Sequence, residues 1–293
     1  MTRFLDLQDF AKGSIAENPA NLYFLLDHGG LPGLYRQLAR TSTTWVSLFE
    51  GTAEVNSLAV APILVLAGSD GAVRLPLGLC KWISESGTYS SSLMMLSSPL
   101  EIGQLKDRLK ARLNVCISGD MDAMLRFFDP RVFESLMGVL DAEQAKVFLS
   151  VARKWWYVDR SGAIRSVDSM FNDVASADEA LNLSASQEFA LVDSCEPDQV
   201  LNGLRENASS YLENLDVARQ YEFVVSNINE AKSFGLRSLN DLILYNVAVL
   251  TVGKSPANES QWSNLMNAVE MEPSKFSELV MCLEGGAVTE GVK

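Results

Sequence analysis

Along the first half of the chain, short apolar runs alternate with stretches whose apolar residues recur three and four apart. LYFLL (22–26), WVSLF (45–49), PILVLA (62–67), SSLMML (91–96), NVCIS (114–118) and MLRFF (124–128) have the length and residue types of strands. Between them LPGLYRQLAR, LPLGLCKWISES and PLEIGQLKDRLKARL carry helical spacing. In the last of these, Leu100, Leu105, Leu109 and Leu113 fall on one face, with Lys106, Arg108, Lys110 and Arg112 mostly turned away from it. Alternation of this kind predicts an α/β (α+β) lobe. The sheet should be mixed, because NVCISGDMDAMLRFF reads as an antiparallel hairpin turning at Gly119-Asp120, and KWWYVDRSGAIRSV as another turning at Ser161-Gly162.

After Asp168 the strand patterns stop. The segments beginning SASQEFALV, VARQYEFVV, SLNDLILYN, ESQWSNLMN and PSKFSELVM all read as helices, and Gly235, Gly253 and Gly285 stand where helices close. The expected organisation is therefore an α/β lobe over residues 1–168 and an all-helical lobe over 169–293. No repeat of fixed period is evident.

Caps can be read directly. In LRFFDPRVF, Asp129 precedes Pro130 and an amphipathic run. An aspartate accepts the unpaired N–H groups of a first helical turn, and proline at the next position has a suitable φ and needs no donor. Arg126 alternates with Leu125 and Phe127 and should face away from them. Asp141 with Gln144 three residues on, and Ser238 with Asp241, repeat the device at two further helix starts.

Charge adds a division that the hydrophobic pattern does not give. Residues 1–166 hold 17 basic and 17 acidic residues, whereas 167–293 hold 7 and 20, so the net charge of −13 belongs to the second stretch. A field of that sign disfavours nucleic acid and anionic membrane and favours a basic protein partner. The start MTRFLDLQDF lacks the continuous apolar core of a signal peptide, and the most apolar stretch, 242–252, is about half of a membrane span. A protein kept in the cytoplasm, without membrane insertion, is expected. The four cysteines, Cys80, Cys116, Cys195 and Cys282, are scattered and read as buried thiols; the single histidine, His28, lies in a turn-rich link.

Nucleotide-binding, zinc-protease and serine-hydrolase motifs are absent from the sequence, so no cofactor or metal is expected. Asp27, Glu50 and Asp129 stand at strand ends, where a carboxylate pair could serve a hydrolase or transferase, but acids there commonly form caps and turns. Trp155 and Trp156 are adjacent on one strand, so their side chains should point to opposite faces, one of them into the core.

The order of several segments resembles the adaptor, or chaperone, family of bacterial type VI secretion: YFLLD, SLFEGT, APILVL, then LRFFDPRVF and KWWYVD. Arg126, Phe127, Phe128, Asp129, Pro130, Arg131 and Val132 fill the family's R-[FY]-[FY]-D-P-R-V core, with Trp155 and Trp156 behind it, and AKSFGLRSLNDLILY is similar to a helix-turn-helix of the family's second lobe. The resemblance implies a protein without enzymatic activity that binds a toxic effector and delivers it to the valine-glycine-repeat spike protein. It also implies a shared first lobe and a variable second lobe, and the acidic helical lobe is inferred to be the one that reads the effector. Partner contacts are expected at Phe223, Leu236, Asp241 and Tyr245, among the acids of that lobe. An acidic immunity protein, neutralising a basic toxin by electrostatic steering, is the alternative of similar chemistry.

Overall fold

The computed structural model describes residues 4–17, 20–118, 121–172, 180–251 and 259–280. The Gly119-Asp120 turn, Gly253, Gly285 and Cys282 lie outside these residues. Two compact units divide the chain, residues 1–194 and 195–293.

The first unit is built on seven strands: β1 (Asn21–Asp27), β2 (Trp45–Ser47), β3 (Pro62–Ser69), β4 (Ala72–Val73), β5 (Leu93–Ser98), and, later in the chain, β8 (Lys154–Val158) and β9 (Ile164–Asp168). Their order is β2-β3-β1-β5-β8-β9, with β4 paired to β3, and every pairing is antiparallel. The central strand β1 is buried from Leu22 to Asp27. Such a strand needs apolar side chains on both faces, which is why NLYFLL reads as a continuous run and does not alternate. The helices of this unit are α1 (Leu7–Glu17), α2 (Leu34–Leu38), α3 (Leu77–Gly87), α4 (Ile102–Ala111), α5 (Pro130–Val139), α6 (Ala142–Leu149) and α7 (Ala185–Asp193).

A second, three-stranded sheet has the order β10-β6-β7, from β6 (Asn114–Ile117), β7 (Met121–Met124) and β10 (Leu181–Asn182). Here β6 and β7 form the expected hairpin, and β10 joins β6 in parallel. The α/β lobe is thus as expected, but the mixed pairing is confined to this small sheet. The run MLRFF is not a strand beyond Met124: Arg126–Phe128 are turning towards the Asp129 cap, so the helix start overrides the strand propensity of the phenylalanines. Leu125 and Phe127 are nonetheless buried, while the Arg126 side chain is half exposed.

The tryptophans of β8 sort as their spacing requires. Trp155 stacks on Phe133 of α5, lies near Phe148 of α6 and donates its indole N–H to Leu149 O at 3.0 Å. Trp156 meets Phe10 of α1 edge to face, on the opposite side of the sheet. α1, whose start the sequence pattern did not reveal, packs with α3 and against β1, β3 and β4. Leu100, Leu105, Leu109 and Leu113 are all buried, as the helical spacing predicted.

Residues beyond 168 do not all leave the first unit. β10 pairs with β6, and Gln187 of α7 donates to Val139 O of α5 at 2.9 Å, so the division falls after Ser194, while structure from residue 185 onward is helical. The acidic excess divides with it: residues 167–194 hold six acids and no base, and 195–293 hold 14 acids and 7 bases.

The second unit contains α8 (Glu196–Asn207), α9 (Ser209–Leu212), α10 (Val217–Ser233), α11 (Leu239–Thr251) and α12 (Glu259–Met271). Val200, Leu204, Val224, Ile228, Leu242 and Tyr245 form its core. Within that core Asn227 donates to Asn246 Oδ1 at 3.0 Å and Asn246 to Leu242 O at 2.8 Å, a satisfied pair that fixes how α10 and α11 face each other. Gly235 closes α10 with φ +83°, and the N–H groups of Gly235 and Leu236 bond Lys232 O and Ala231 O, satisfying two terminal carbonyls.

Replacing Trp155 by alanine empties the space between α5, α6 and the sheet and should cost about 3–5 kcal/mol. Trp156→Ala should cost less, because α1 can settle towards the sheet. Urea unfolding of both purified variants measures this; a Trp155→Ala protein as stable as Trp156→Ala would contradict the assignment of the two faces.

Candidate functional site

β1 ends in a buried carboxylate, and the chain supplies partners for it from both near and far. Asp27 Oδ1 accepts the N–H of Gly29 at 2.9 Å, closing a single 3-10 turn over His28–Gly30. Its Oδ2 accepts from Arg126 Nη2 at 2.8 Å, across 99 positions of sequence. The Arg126 guanidinium lies over the Phe128 ring, 5.4 Å from its centroid, which holds the plane of the cation in place.

Asp129 stands beside this pair and is also buried. Its Oδ1 accepts the Arg131 backbone N–H and Nε, both at 3.0 Å, and Oδ2 accepts Arg131 Nη2 at 2.7 Å. One carboxylate thus caps α5 and receives a two-pronged guanidinium, with Pro130 at the first helical position. The predicted cap is present, and the ion pair is added to it. Asp141 caps α6 in the same manner, with Gln144 returning to its backbone.

Four of the residues singled out from the sequence, Asp27, Arg126, Asp129 and Arg131, are therefore brought into one cluster. Burial pushes the Asp27 carboxyl above the usual carboxylate range, aided by the negative charge of Asp129; Arg126 and the Gly29 N–H pull the other way without cancelling it. Each carboxylate is occupied on both oxygens. The cluster ties β1 to the start of α5 and leaves a half-exposed cation, Arg126, at the surface.

Around it lies a rim that sequence reading did not find. His28 Nδ1 is 3.0 Å from Leu58 O, its ring meets Tyr35 edge-on, and Tyr35 meets Trp45. Val55, Leu58 and Val60 are exposed on the two short 3-10 turns that follow β2. Gly30 is fixed by close approach, since a Cβ there would overlap Ser92 Oγ. The glycines of LLDHGGLPG were the available signal.

Glu50 belongs elsewhere. It pairs with Lys106 at 3.4 Å, and Lys110 Nζ donates to the carbonyls of Glu50 and Gly51 at 3.3 and 3.0 Å, so α4 anchors this loop. Asp27 and Glu50, considered together as catalytic carboxylates, are engaged with different cations. Trp155 and Trp156 are core residues.

In the second unit, Leu236 and Tyr245 are buried and are not surface anchors; Phe223 is half-buried against the same core. Asp241 is used locally: its N–H donates to Ser238 Oγ at 3.1 Å, and that hydroxyl donates back to Asp241 Oδ2 at 2.6 Å. Helical spacing turns Tyr245 and, in part, Phe223 inward, while Leu236 is buried as the residue that follows the closing glycine of α10; the charge of their neighbours does not move them outward.

Arg112 was grouped with the solvated bases of α4, yet it is buried. It donates to the carbonyls of Arg108, Val147 and Phe148 at 2.8, 3.0 and 2.6 Å, joining the C-terminal ends of α4 and α6, where the helix dipoles favour a cation. Burial, with Arg108 nearby, lowers its pKa to about 10. Among the described residues no three His, Cys, Asp or Glu side chains gather as a metal site. Nor is any described helix long and apolar enough to cross a membrane.

An antiparallel sheet whose central strand ends in a buried, arginine-neutralised acid defines the class of this site. Residues 22–146 match the family model described as Domain of unknown function (DUF4123), a span that includes β1, Arg126 and the Asp129 cap. No curated protein and no solved structure matches the chain.

Arg126→Ala leaves Asp27 buried without its cation. The loss at pH 7 should be about 1–3 kcal/mol, tempered by the solvent screening of the half-exposed guanidinium. The sign with pH follows from the raised carboxyl: without Arg126 it rises further, so the folded state holds its proton more tightly than the unfolded chain, and stability falls as pH climbs from the ordinary carboxylate range through the raised value. The defect should therefore shrink between pH 7 and pH 4.5, as measured by urea unfolding at both. An equal defect at the two values would mean that the pair contributes no charge compensation.

Proposed function

We propose that this protein is a non-enzymatic adaptor that binds a type VI secretion effector in the cytoplasm and loads it onto the valine-glycine-repeat spike. The observation that carries the reading is the DUF4123 domain over residues 22–146, a family associated with type VI secretion adaptors. The geometry supports it. Two of the acids that an enzyme would have used, Asp27 and Asp129, are committed on both oxygens to arginines and backbone N–H groups, which is an arrangement for holding a scaffold in shape, and the third, Glu50, pairs with Lys106 elsewhere. Exposed Val55, Leu58 and Val60, the last two against the His28-Gly29 turn that follows Asp27, offer apolar area, and Arg126 on Asp27 offers a cation, the ingredients of a protein contact. The first unit, residues 1–194, is the shared scaffold in this reading.

Tagged protein purified from secreting cells should bring down one effector and the spike protein, identified by mass spectrometry. Deleting the gene should abolish secretion of that effector while other secreted proteins continue. Secretion of every effector unchanged in the deletion strain would sink the adaptor reading. Within this scheme Asp129→Ala should lower stability by about 1–3 kcal/mol, from the lost cap and ion pair, with effector capture retained below the melting temperature. A variant that melts like the parent yet captures nothing would make Asp129 a contact residue.

A further inference from the structure

In the three-stranded sheet β7 is an edge. Ala123 and Met121 stand opposite Val115 and Ile117, and the Leu125 N–H donates to Leu113 O at 2.7 Å. Antiparallel pairs alternate between bonded and non-bonded, so residues 121, 123 and 125 turn their backbone groups towards β6. Asp122 and Met124 then direct their N–H and C=O groups outward. Consistent with that register, Cys116, opposite Asp122, gives its carbonyl to Leu183 N–H on the far side of β6. Edge strands are commonly guarded by charges, proline or a covering element. β7 instead exposes Met121 (56%) and Met124 (40%), with Asp122 its only charge.

α7 presents a second apolar feature. Gln187 turns inward, but Phe189 (73%) and Val192 (63%) are exposed three positions apart. Glu188 accepts from Ser118 Oγ at 2.5 Å and from Ser118 N–H at 3.3 Å. That bond ties α7 at Glu188 to the end of the hairpin at which Ile117 faces Met121. Charge supplies the third observation: the described charged residues of 113–125 and 167–194 are Asp122, Asp168, Glu188 and Asp193, all of them acids.

We infer that β7 and the outward face of α7 form a docking surface for an extended, cationic segment of a protein partner, which adds to β7 as a fourth strand. The Asp122 and Met124 backbone groups bond the incoming strand. Met121, on one face of β7, receives its apolar side chains; Asp122, on the other face, favours lysine or arginine at the intervening positions, with Met124 beside it packing along the aliphatic stem. This inference rests on the adaptor reading for the identity of the partner and specifies the chemistry by which it is held. It moves recognition from the helical unit to the acidic end of the first.

The probe is a short peptide of alternating lysine and valine, titrated onto the full-length protein, with an alternating glutamate-valine peptide as control. The lysine peptide should bind at least about tenfold tighter than the control, and the advantage should decline with added salt. At saturation, exchange of the Asp122 and Met124 amide hydrogens should slow by about tenfold or more, since they are newly hydrogen-bonded. Asp122→Asn removes charge alone, and Asp122→Pro removes charge and the outward N–H while sparing the bonds to β6. The proline variant should bind about tenfold more weakly than the asparagine variant. Binding without protection of those two amides, equal binding of the two peptides, or a dimer of the free protein dispersed by Asp122→Pro would each overturn the proposal, the last by showing that a second copy occupies the edge. These outcomes are independent of secretion in cells. A protected edge in a strain whose secretion does not need the protein would reject the adaptor reading and leave the surface standing.

Discussion

A fully buried strand that must end in a charge is the constraint around which the first unit is arranged. β1 lies between β3 and β5, and burial of Leu22–Leu26 on both faces supplies much of the apolar contact of the sheet. Its last residue, Asp27, stays in the same dry surroundings, where an isolated carboxylate would cost several kcal/mol. The fold meets that cost from two directions. A local turn gives the Gly29 N–H, and a distant one gives Arg126, which is fixed in turn by Phe128 and by the Asp129 cap that starts α5. The motif RFFDPRV is then a single device: phenylalanines for the core, one arginine for the neighbouring strand, and an Asp-Pro-Arg set that begins a helix at the required point.

Much of this was legible. Continuous apolar runs gave four of the strands of the main sheet, because their period and residue types are unlike those of the helices between them, and the hairpin reading of KWWYVDRSGAIRSV gave two more. The caps at Asp129, Asp141 and Ser238 follow from local chemistry and needed no tertiary information. What could not be read was pairing at long range. Nothing in the sequence says that Arg126 reaches Asp27, that Glu50 is taken by Lys106, or that Arg112 turns inward to bind the carbonyls of two helix ends. Each depends on where elements far apart in the chain come to lie.

Charge misled in a physical way. The acidic excess was assigned to one lobe because it begins after residue 166, but the chain does not change units there. A two-residue strand, β10, and the side chain of Gln187 keep 180–194 with the first unit, and both are too short or too ordinary to register as patterns. Leu236 and Tyr245 fell to the opposite error: acidic neighbours suggested a surface, while the helical spacing of Tyr245 and the position of Leu236 just after the closing glycine of α10 place them inside.

The strand order has a consequence for how the protein is made. β1 is made well before its second neighbour, which ends at Ser98, so one whole edge of the most apolar strand waits for some seventy further residues. At ribosomal rates of about 5–20 residues per second, that is roughly 4–14 s with LYFLL unpaired on at least one side. Such a segment is a template for intermolecular pairing. Yield in a heterologous host should therefore depend on translation speed and on holdase chaperones more than on the stability of the finished fold. Slow codons between β1 and β5 would lengthen the exposed interval.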